Sequence, residues 1–100
     1  MITEAARVMR GGRIQPVAGL APVHVREMTA ADMIALQKLA GSGIDTAVHV
    51  VAVCACDDTG QRIYDGDTAE VMELPWRVIE AVSRAALDLN GLGEDQQPGN

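Results

Sequence analysis

Two thiols stand one residue apart at Cys54 and Cys56, with the imidazole of His49 shortly before them. The run they open, CACDDTGQRIYDGD, also carries four carboxylates, Asp57, Asp58, Asp65 and Asp67. Thiolate and imidazole are ligands for zinc and other soft or borderline metals. A structural zinc site takes four ligands, with cysteine pairs commonly two to four residues apart, and Cys54 and Cys56 are the chain's only cysteines. On a helix these two thiols would diverge by about 200°, and on a strand they would share one face. Small buried apolar side chains are the stronger account of both. A small cytoplasmic metal- or redox-binding protein using Cys54, Cys56 and His49 stands as the alternative.

The carboxylates invite a calcium reading. An EF-hand loop closes on a bidentate Glu at its twelfth position, and the twelfth residue from Asp57 is Thr68. Turn and capping roles account better for the four aspartates. His24 and His49 are the only histidines, and neither neighbours a Ser or Cys nucleophile with a convincing third member. The sequence also has no phosphate-cradling glycine loop and no HExxH. The expectation is a protein without catalysis, cofactor or metal.

The elements that position these residues have to come from a chain of 100 residues, enough for one small domain with a modest core. That core must be built from Val, Ile, Leu, Met and Ala, because Phe is absent and Trp76 and Tyr64 are the only aromatics. The net charge of −6 argues against general nucleic-acid binding. It is unevenly spread: residues 1–26 hold Arg7, Arg10, Arg13 and Arg26 against Glu4 alone, so the acidic excess lies beyond them. A basic arm and an acidic body could attract each other between copies, although a solvated tail and face are the commoner meaning of such runs. No apolar run approaches the roughly 18 residues that cross a bilayer, and the start has no secretion-signal pattern. A soluble protein of a reducing cytoplasm is expected, without nucleic acid or membrane partners.

Along the chain, glycines and prolines break residues 1–21, leaving an irregular β-hairpin with arms near 13–17 and 23–26. Thr29 reads as a helix N-cap with Asp32 answering its backbone N–H, and Met33, Leu36, Leu39 and Ala40 follow at helical spacing. The expected helix covers 29–40 and stops at Gly41-Ser42-Gly43. Residues 45–56 are apolar almost throughout: length favours a buried helix and the valines favour a strand. Helix is preferred, and strand stays open. Asp57-Asp58-Thr59-Gly60 and Asp65-Gly66 are turns, and Asp67 with Glu70 forms the capping box of a short helix over 67–73. The final helix, 75–90, opens on Pro75 and carries Trp76, Ile79, Val82, Ala86 and Leu89 on one stripe, ending at Asn90-Gly91. The fold class is mainly α with a small N-terminal β-hairpin, an α+β domain over 13–92. A flexible arm over 1–12 precedes it, and a disordered tail over 93–100 follows.

Three motifs then occur in order. VHVREMT, with Val23, Val25, Arg26, Glu27, Met28 and Thr29, opens the first helix. Asp57, Gly60, Arg62, Ile63 and Tyr64 follow the apolar segment, and Ala86, Leu87, Leu89, Asn90, Gly91 and Leu92 close the last helix. Over residues 22–93 the chain resembles the tail assembly chaperones of lambda-like long-tailed bacteriophages and prophages. The order and spacing of the motifs carry the resemblance. Cys54 and Cys56, where aliphatic residues are expected, and the long Gly-rich start depart from it.

The resemblance implies a phage tail assembly chaperone without catalysis, in the host bacterial cytoplasm and not in the mature virion. Its implied partners are the tape measure protein, the tail tube protein and further copies of itself in a ring or spiral. It also implies that a frameshifted longer form could diverge after Leu92. Tyr64, Trp76, Arg26 and Ile63 are the candidate partner-binding residues. Trp76 is either core or a partner anchor, and a lone Trp in a small domain more often belongs to the core. A small regulatory adaptor using the Trp76 helix is a third reading.

Overall fold

The computed structural model describes residues 12–39 and 43–92. The expected arm, apart from Gly12, the expected tail, and Ala40 at the end of the first expected helix lie outside them. Two short strands, β1 (Ile14–Pro16) and β2 (His24–Arg26), form the expected hairpin, pairing Ile14 with Arg26 and Pro16 with His24. The Val17 N–H donates to the Val23 carbonyl at 3.0 Å and closes the ladder next to the loop. The alternation around β2 buries Val25 completely.

Helix α1 (Ala30–Lys38) starts at the capping box read from the sequence. The Thr29 hydroxyl accepts from the Asp32 N–H at 3.1 Å, and the Asp32 carboxylate accepts from the Thr29 N–H at 2.9 Å. The apolar stripe expected on α1 does not become core. Its one buried residue is Asp32, Met33 and Leu36 are half-buried, and Leu39 and Ile34 are exposed.

Helix α2 (Gly43–Cys54) is the centre of the molecule, with Val48 and every residue from Val50 to Cys54 buried. The open choice over 45–56 resolves as helix and then strand. The helix ends at Cys54, and Ala55–Cys56 form β3, pairing antiparallel with Val25 and His24. The sheet order is β1-β2-β3. The change follows from where the chain has arrived, because Ala55 and Cys56 can satisfy their backbone groups on the free edge of β2.

The Asp57–Gly60 turn is held by the Asp57 carboxylate, which accepts from the N–H groups of Thr59 and Gln61 at 2.9 and 3.0 Å. Gly60 at φ +90° completes it. In the second turn Asp65 and Gly66 both have positive φ, 49° and 84°, and the Asp67 N–H donates to the Tyr64 carbonyl at 2.9 Å, as in a type I′ turn. The helix expected over 67–73 is one turn, α3 (Thr68–Val71). Its capping box is half formed: Asp67 accepts from the Glu70 N–H at 3.2 Å, but the Asp67 N–H is already used by Tyr64.

Helix α4 (Trp76–Leu89) packs along α2 and against β2, burying Ile79, Val82, Ser83, Ala86 and Leu89. Its C-terminus is a Schellman motif, with Leu92 N–H on the Leu87 carbonyl at 2.7 Å, Gly91 N–H on the Asp88 carbonyl at 3.1 Å, and Gly91 at φ +74°. Asn90 adds a tie across the fold: its side-chain oxygen accepts from the Met28 N–H and its amide donates to the Ala86 carbonyl, both at 2.8 Å. The structure is thus mainly helical with a small three-stranded antiparallel sheet.

Candidate interaction surface

The two thiols sit where α2 runs into β3, and both are completely buried. Burial pushes the Cys54 thiol up to about 12, with the nearby Asp32 charge adding to the effect, and burial raises Cys56 as well. At neutral pH both are protonated and act as small apolar side chains. His49 borders a cavity with Leu39, Asp45, Val48, Thr68 and Met72, a lining that includes neither thiol. Among the described residues no group of three or more His, Cys, Asp or Glu is placed to hold a metal ion.

Two arginines pack around this junction. Arg62 pairs with the buried Asp32 carboxylate and so ties the loop after β3 to the start of α1. Arg26 donates to the Gly60 carbonyl at 2.9 Å and ties β2 to the same loop. The Nε atoms of both arginines and Nε2 of His49 are buried without a hydrogen-bond partner among the described residues. The arrangement clamps a connection between elements.

A polar cleft of about 340 Å³ lies over the end of α4, lined by Arg13, Gln15, Glu27, Asp88, Leu89, Asn90 and Gly91. Arg13 and Glu27 are engaged with each other across it. The Arg13 backbone N–H and guanidinium hold Glu27 below its ordinary carboxylate range, and Arg13 also caps the Leu89 carbonyl at 3.0 Å.

A surface without such ion pairing runs from Ile63 to Trp76. Ile63 and Trp76 are each 46 % exposed and Met72 is 61 % exposed. Between them Asp65, Asp67, Glu70 and Glu73 are all exposed, and residues 63–76 contain no Lys or Arg. Val71 accounts for the arrangement: it is wholly buried, and the single turn it anchors leaves its neighbour Met72 facing out. Met72 and the exposed Leu39 then flank a cavity of about 190 Å³ between the end of α1, the first half of α2, and α3.

Of the four candidate partner-binding residues, Ile63 and Trp76 are on this surface. Trp76 is not the core residue that its type favours. Tyr64 is half-buried against the core, and burial and the nearby Glu70 raise its phenol. Arg26 is half-buried, with its guanidinium on Gly60. The Ile63 side chain is exposed, and its backbone ties the connection to β3, by the Ile63 N–H to the Ala55 carbonyl at 3.0 Å. Sequence reasoning missed Met72, Ile34 and Ile44 as exposed apolar residues and set Leu39 on the apolar spacing of the first helix, where it is exposed. The one available signal for Met72 was its place within an acidic, cation-free run.

No helix among the described residues is long and apolar enough to cross a membrane. Comparison with family models, curated proteins and solved structures returns no match.

Proposed function

We propose that the chain is a non-catalytic tail assembly chaperone of the lambda-like phage kind, working in the cytoplasm of the host bacterium. In this reading it keeps the tape measure protein soluble, helps bring tail tube subunits around it, and assembles with copies of itself. The observation that carries the reading is the exposure of Ile63, Met72 and Trp76 within an acidic strip beside an open cavity. An amphipathic helix with cations flanking its apolar face suits such a surface. A long helical partner offers many such segments, so weak contacts add up along it. The order of VHVREMT, the Asp57–Tyr64 run and ALDLNGL supports the same reading.

The test is co-expression with fragments of the tape measure protein of the same phage or prophage. A fragment that is insoluble alone is expected to become soluble and to co-elute with the chain. A fragment that precipitates regardless, and never co-elutes, overturns the reading.

A further inference from the structure

Residues 63–76 carry four carboxylates and no cation, and among the described residues none of Asp65, Asp67, Glu70 and Glu73 takes part in an ion pair. Exposed Met72 and Trp76 lie in the same run. The complement of this surface is a segment with apolar side chains on one face and cations beside them. One segment of the chain outside the described residues has that composition. Residues 1–11, MITEAARVMRG, place Ile2, Ala5, Ala6 and Met9 at i, i+3, i+4 and i+7, the spacing of an amphipathic helix. Arg7 and Arg10 lie three residues apart, matching the spacing of Glu70 and Glu73.

We propose that residues 1–11 of one copy dock on the Ile63–Trp76 surface of a second copy. The Ile2–Met9 stripe covers Met72 and the cavity beside it, and Arg7 and Arg10 face Glu70 and Glu73. A contact with a second copy strengthens with protein concentration, and one within the same copy does not. The contact depends on charge and exposure alone, so a tape measure fragment that fails to bind leaves it standing.

Sedimentation of the full chain over a range of concentrations and two salt concentrations tests the contact. The wild type is expected to associate, less so at high salt. Arg7→Glu/Arg10→Glu and Glu70→Lys/Glu73→Lys should each associate roughly tenfold more weakly or worse, and an equimolar mixture of the two should recover association. Met72→Asp, at an exposed position, should also weaken it while helical content by circular dichroism is unchanged. A wild type that stays monomeric, a charge-reversed variant that associates like wild type, or a mixture that fails to recover overturns the proposal.

Discussion

At the level of single residues, the thiols show how position decides chemistry. Cys54 is ordinary in type, but burial and Asp32 move its ionisation from near 9 to about 12. Below about pH 9 the thiol is protonated in both folded and unfolded chains and contributes no pH dependence. Between about 9 and 12 only the unfolded chain ionises, so stability falls as pH rises, by about tenfold in the folding equilibrium per pH unit. Urea unfolding at about pH 8 and about pH 10.5 checks this, and Cys54→Ala should make the slope shallower, the raised Cys56 thiol keeping its own share. The native protein should also resist thiol reagents at about pH 8 and react once unfolded. Asp32 is the other decisive residue, because one carboxylate serves the α1 capping box and the Arg62 guanidinium. Asp32→Ala leaves Arg62 half-buried without its counter-charge and is expected to cost about 2–4 kcal/mol in urea unfolding. The cap was legible in the T-x-x-D spacing. The pairing with Arg62, 30 residues away, was not, because nothing local to either residue marks a long-range partner.

Among the elements, local chemistry was read well and coverage was not. The Thr29 cap, the Asp57 turn and the Gly91 stop all formed where side-chain hydrogen bonding or positive φ required them. Periodicity on α1 was misleading, since a 3.6-residue apolar spacing reports that a face exists and not that another element covers it. The α2 segment carried both patterns because it does both things, burying a helix and then donating two residues to the sheet. These differences give a paired prediction. Val51→Ala, at a completely buried position on α2, should destabilise by about 2 kcal/mol through lost burial and a residual cavity. Leu39→Ser, at an exposed position despite its place in the apparent stripe, should change stability by no more than about 0.5 kcal/mol. Equal losses at the two positions would mean that α1 is packed as its spacing implies.

For the molecule as a whole, the question is which surface is spared from holding the fold together. The two ends of the hairpin–α4 contact are tied by Arg13, Glu27 and Asn90, and the β3 loop is tied by Arg26 and Arg62. The Ile63–Trp76 strip has only Val71, Tyr64 and Leu74 turned toward the core, leaving three large apolar side chains and four carboxylates to solvent. Half of that surface could be read from the sequence: Ile63 and Trp76 stand beside a turn and a proline, whereas the outward side of α3 depended on its being a single turn. If the strip serves binding, its apolar residues and the stability of the fold should separate on mutation. Ile63→Ser/Trp76→Ala should shift the urea midpoint only slightly, because both residues are already largely hydrated. The same double variant should weaken capture of a tape measure fragment by at least about tenfold, since exposed aromatic and aliphatic anchors often dominate such contacts. Rising salt should weaken the wild-type complex further, through the carboxylates around those anchors. A double variant that binds like wild type would move the contact away from this strip, and one that unfolds would return Trp76 to the core.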